Sequence, residues 1–96
     1  MEHVIENNKL IIKLEGELNS FNSEQVEKDI DAIIAANSFD AIVLDTKNLR
    51  YISSAGLRIV ARLKQQYNDV SIVNTPDDVY SILEMVGFTE EIKVTR

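Results

Sequence analysis

The chain has 96 residues, a length that fits one domain built on one modest core. Its composition, 45% hydrophobic and 27% charged, is that of a folded globular protein, and without Cys it has neither a disulfide framework nor a thiolate metal or redox site. The net charge of -6 opposes binding to nucleic acid or to an anionic membrane surface, which leaves a protein partner or a small ligand. No apolar run approaches the roughly 18 residues that span a bilayer. The start, Met1-Glu2-His3-Val4-Ile5-Glu6, lacks the basic and apolar regions of a signal peptide, so a cytoplasmic location is expected.

In chain order, Val4 to Glu6 reads as a short strand, and Asn7-Asn8 supplies two residues that tolerate positive φ in a hairpin turn. Leu10, Ile12 and Leu14 then alternate with Ile11 and Lys13, the period of a half-buried second strand. A helix follows over Ser23 to Ala36, with Val26, Ile30, Ile33 and Ile34 on one face. Asn22 is its expected cap, and Gln25 the reciprocal partner in a capping box. Ala41-Ile42-Val43-Leu44-Asp45 is a continuous apolar run closed by a carboxylate and predicts a central strand.

A second helix is predicted over Ala55 to Tyr67, its buried face formed by Gly56, Ile59, Val60, Leu63 and Tyr67. Val70 to Asn74 is a further strand. Thr75 then caps a third helix, with Pro76 at the first helical position, Asp77 and Asp78 at the positive end of the dipole, and Gly87 as the stop. Val79, Ile82, Leu83 and Val86 form its buried stripe, and Ile92 and Val94 a last short strand. The predicted fold is a single α/β domain over residues 1–96 with a mixed sheet, in the order β-β-α-β-α-β-α-β. Parallel strands joined by right-handed crossovers place functional groups beyond their carboxyl ends, and that edge is expected to hold Asp45 and Leu49 to Gly56.

The informative segment is Tyr51-Ile52-Ser53-Ser54-Ala55-Gly56-Leu57-Arg58, two hydroxyls and two small residues at a helix start just past a buried strand. Serine there commonly caps the helix. One cap needs only one hydroxyl, so the other is free to meet solvent at a helix end whose backbone donors favour an anion. A kinase would find an accessible hydroxyl there, and the product phosphate would be tolerated.

Ile52-Ser53-Ser54-Ala55-Gly56-Leu57 resembles the signature of the STAS domain, the fold of bacterial anti-sigma-factor antagonists. That pattern is an apolar residue, Asp, Ser, a small residue, Gly and Leu. Gly16-Glu17-Leu18-Asn19 is similar to the family's Gly-Glu-Leu-Asp at the end of the second strand, and Asp45 fits as the close of a central strand. Asn19 and Ser53 both stand where the family pattern has Asp. The resemblance spans essentially the whole chain. It implies that Ser54 is the phosphoacceptor, and that Asn19, Ser53, Ser54, Gly56, Leu57 and Arg58 contact the partner. It further implies a partner-switching regulator of transcription. The unphosphorylated form would hold an anti-sigma factor with serine kinase activity, and a PP2C-type phosphatase would restore that form. The alternative implied by the same fold is an accessory subunit that binds a transporter ATPase without phosphorylation.

Other chemistry finds little support. His3 is the only His, Glu15 and Glu17 have no third ligand beside them, and there is no glycine-rich phosphate loop. No metal, cofactor or catalytic activity is therefore expected. Arg50, Arg58, Arg62 and Lys64 form a basic cluster in sequence near the serines. Arg58 stands out, because a cation in the first helical turn opposes the dipole.

Overall fold

The computed structural model describes residues 1–96. Asn7 and Asn8 both adopt positive φ, 50° and 63°, and turn β1 (His3–Glu6) back onto β2 (Lys9–Leu18) as an antiparallel hairpin. The chain continues through α1 (Ser23–Ala36), β3 (Ala41–Ile52), α2 (Ser54–Gln66), β4 (Val70–Val73), α3 (Asp77–Met85), α4 (Phe88–Glu91) and β5 (Lys93–Val94). The predicted order is present, with α4 as one added turn of helix after Gly87. That residue adopts φ +84° and ends α3 as expected.

The five strands form one sheet in the order β1-β2-β3-β4-β5, antiparallel at the hairpin and parallel elsewhere. An order that advances in one direction through right-handed crossovers carries the connecting helices on one face. The burial pattern agrees. Leu10, Ile12, Leu14, Ile42, Leu44, Val70 and Ile72 are buried, while Ile11, Val43 and Ser71, which point the other way, are only half-buried. Against the covered face pack Ile30 of α1, Ile59, Val60 and Leu63 of α2, and Val79 and Leu83 of α3, completing one core.

β3 departs most from expectation. It does not end at Asp45 but runs seven residues further, to Ile52. Up to Asp45 it is flanked by β2 and β4; beyond that point it pairs with β2 alone, through Glu15↔Asn48 to Leu18↔Ile52. Two register slips interrupt this extension, so its buried residues are Thr46, Leu49 and Ile52, three apart instead of two. Polar Asp45, Thr46, Lys47 and Asn48 thus sit inside a strand. The Thr46 hydroxyl donates to the Val73 carbonyl at 3.1 Å, where β4 leaves the ladder.

Two caps also differ from expectation. Asn22 occupies the N-cap of α1 but its side chain makes no cap hydrogen bond there, and Gln25 donates to Asp29 instead of closing a box. The reciprocal box lies one turn earlier: the Asn22 N–H donates to Asn19 Oδ1 (3.0 Å) and the Asn19 N–H to Asn22 Oδ1 (2.9 Å). Thr75 is not the cap of α3, and Pro76 precedes the helix. The Thr75 N–H is taken by the Thr95 carbonyl, and its buried hydroxyl faces that of Thr46 at 3.4 Å.

Candidate functional site at the end of the central strands

The two-stranded extension of β2 and β3 ends with Leu18 opposite Ile52. From its tip the chain turns into α1 on one side and α2 on the other. The Ser53 N–H donates to the Leu18 carbonyl at 2.8 Å, which joins the two turns. Asn19 and Ser53, predicted from separate motifs, therefore meet. Asp45 does not join them: it lies level with Val73, roughly 25 Å down the strand at the rise of an extended chain. There its Oδ1 accepts from the Lys47 N–H and from Asn74 Nδ2.

The division of labour between the two hydroxyls is resolved. Ser53 is the cap: it is extended, at φ -90° and ψ 175°, and its Oγ accepts from the Gly56 N–H at 3.3 Å. Ser54 is the first helical residue and is exposed, and its hydroxyl has no hydrogen bond within the chain. It points to solvent at the positive end of a thirteen-residue helix whose first turn contains no acidic residue.

Asn19 plays the matching part at the start of α1. Its Oδ1 accepts from the N–H groups of Phe21 (2.9 Å) and Asn22 (3.0 Å), and Asn22 Nδ2 ties the turn to the Glu17 carbonyl (2.7 Å). Asn19 and Ser53 thus each supply an uncharged acceptor oxygen, one to the turn that leads into α1 and the other to the first turn of α2.

Gly56 is where α2 touches the sheet. A Cβ there would lie 2.7 Å from Leu18 Cγ and 2.8 Å from Ile52 Cγ1, two buried side chains with no room to yield. Leu57 is half-buried against the core, whereas Arg58, one turn beyond Ser54, is exposed and forms no ion pair.

The expected basic cluster is dispersed. Arg62 reaches across to α1, donating to Glu27 at 2.7 Å and Asp31 at 2.8 Å. Its pKa is raised by the hydrogen bond to Asp31 and then that to Glu27, against the opposing effect of burial. Lys64 donates to the Asn68 carbonyl, and Arg50 borders a cleft with Pro76 and Asp78. Between α1 and α2 runs an open groove of about 550 Å³, lined by Ser23, Glu24, Ala55, Arg58 and Ile59 among others. Sequence periodicity gave no sign of this groove, because its walls come from two helices far apart in the chain. No helix is long and apolar enough to cross a membrane, and no three acidic or His side chains converge as metal ligands.

The STAS domain family model matches residues 1–96. The chain belongs to the STAS domain family. An anti-sigma F factor antagonist of Paenibacillus polymyxa is 30% identical over 82 residues, 81% of this chain and 70% of that protein. The BtrV protein of Bordetella bronchiseptica is 36% identical over 83 residues, 82% of this chain and 71% of that one. Among solved structures, the anti-sigma factor antagonist SpoIIAA in its unphosphorylated form superposes with a TM-score of 0.78 at 17% identity, covering 99% of this chain and 87% of that one. The phosphorylated form of SpoIIAA from Bacillus gives 0.70 at 16% identity, covering 99% and 90%. In the STAS frame, the serine signature occupies the turn into α2, and the Gly-Glu-Leu motif ends the neighbouring strand.

Proposed function

We propose that this chain is an anti-sigma-factor antagonist, a cytoplasmic binding module switched by phosphorylation of Ser54. Unphosphorylated, it binds an anti-sigma factor that is also a serine kinase; phosphorylated, it releases that partner; a PP2C-type phosphatase resets it. The observation that carries the reading is the separation of roles at the start of α2. Ser53 caps the Gly56 N–H, which leaves Ser54 exposed, unbonded and aimed at solvent. A relative 30% identical is named as an anti-sigma F factor antagonist, which supports the partner class.

The geometry also accounts for how a phosphate would act. A phosphoryl group adds about -1.5 to -2 charge and strong acceptor oxygens. The N-terminus of α2 accommodates that charge, because free backbone donors and the dipole favour an anion and no acidic residue stands in the first turn. The partner, packed over a neutral hydroxyl, must instead desolvate an anion. The domain itself performs no chemistry in this account. The test is to incubate it with the serine-kinase anti-sigma factor of the source organism and radiolabelled ATP, then to map the modified residue by mass spectrometry. Phosphate on Ser54, absent from Ser54→Ala, is the expected result. Phosphate on Ser53, or none under conditions where the kinase modifies a control substrate, contradicts the reading.

A further inference from the structure

Phe21 is 97% exposed, the most exposed of the large apolar side chains. Isolated apolar residues on a surface are common and carry no meaning alone. Two observations set Phe21 apart. The backbone beneath it is held by the reciprocal Asn19–Asn22 box, by its own N–H on Asn19 Oδ1, and by Asn22 Nδ2 on the Glu17 carbonyl. A ring carried on such a turn needs little further ordering when it binds.

Its position is the second. Phe21 lies three residues past Leu18 and Ser54 two past Ile52, and Leu18 and Ile52 are register partners. Ser23 and Ala55, which follow closely on Phe21 and Ser54, line the same groove between α1 and α2. The turn that carries Phe21 and the start of α2 at Ser54 are therefore joined through the Ser53 N–H on the Leu18 carbonyl, at the end of the groove that Ser23 and Ala55 line. Arg58 lines it one turn further along and has no carboxylate partner in the chain. Of the two acids that line the same groove, Glu27 holds Arg62 and Glu24 pairs with Lys28 at 3.6 Å.

We infer that Phe21 is the aromatic anchor of the docking surface: its ring enters an apolar pocket of the protein partner, while Arg58 meets a carboxylate on the rim of that pocket. Aromatic and Arg side chains dominate binding energy at interfaces of this kind. An acidic partner group would also offset the unfavourable position of a cation near the start of α2. The inference rests on the proposed function for the identity of the partner, and it deepens the switch. A phosphate on Ser54 stands four residues before Arg58 on one helix face, so it would draw Arg58 away from the partner's carboxylate as well as obstruct the pocket.

The experiment titrates wild type, Phe21→Ser, Phe21→Tyr and Ser54→Asp against the anti-sigma factors of the source organism, with urea unfolding of each variant. Phe21→Ser should keep the wild-type urea midpoint, because the exposed ring supports no core, and should lose about 30-fold or more in affinity. Phe21→Tyr should retain most of the binding. If Phe21→Ser binds within about threefold of wild type while Ser54→Asp is released, the anchor is wrong and the switch stands. If Phe21→Ser loses binding while Ser54→Asp binds normally, the anchor stands and the switch is wrong. A Phe21-dependent dimer in sedimentation, with unchanged partner affinity, overturns the anchor. Absence of wild-type binding to every anti-sigma factor overturns both.

Discussion

Asn19 and Ser53 each present an uncharged acceptor oxygen, Asn19 to the turn before α1 and Ser53 to the first turn of α2. The capping work needs only the oxygen, so neither turn requires a carboxylate. Ser53→Ala should lower stability by about 1 kcal/mol through the lost cap, seen as a reduced urea midpoint. Ser54→Ala should leave the midpoint within a few tenths of a kcal/mol, since its hydroxyl bonds to nothing in the chain. Ser54→Asp places a carboxylate at the positive end of α2 with no neighbouring acid in the first turn, and should stabilise by about 0.3–1 kcal/mol. At Gly56 any side chain collides with Leu18 and Ile52, so Gly56→Leu should cost about 1–3 kcal/mol or more by overpacking. A midpoint equal to wild type would remove the close-approach argument.

Among the elements, the hairpin and the three longer helices were legible in the sequence, because their periods of 2 and 3.6 are local properties; Val86, expected in the buried stripe of α3, is instead exposed, because the helix ends at Met85. The outer half of β3 was not. Its register slips replace alternation with a spacing of three, and its polar residues are buried or bonded by partners that only the fold supplies. Thr46 is the clearest instance: read alone it ends a strand, yet it is buried and ties β3 to the last carbonyl of β4. Thr46→Val should therefore destabilise by about 1 kcal/mol despite its nearly equal volume, because it leaves the Val73 carbonyl short of a donor. The serine turn itself was legible as a motif; which serine capped and which was free became clear only from backbone geometry. Arg62 belongs to a basic cluster in the sequence, which does not reveal its pairing because Glu27 and Asp31 belong to another helix. It holds α1 against α2, and Arg62→Ala should cost about 1 kcal/mol in urea unfolding, a modest figure because the group is partly exposed.

Over the whole molecule, the site stands at the tip of a two-stranded extension beyond β4, clear of the core and joined to it through Leu18, Ile52 and Gly56. A charge added at Ser54 meets solvent and helix donors, so it has no buried contact to break, and no rearrangement of the core is needed for the signal to be read. The proposed switch would act by changing what a partner must pack against. Isothermal titration of the anti-sigma factor against the unmodified protein and against protein fully phosphorylated on Ser54, at one salt concentration, decides whether Ser54 governs partner binding. The expected result is a loss of about 30-fold to several-thousand-fold in affinity on phosphorylation, the range set by an unpaired charge buried in an interface. An affinity unchanged to within about threefold, with phosphate verified on Ser54, would contradict it.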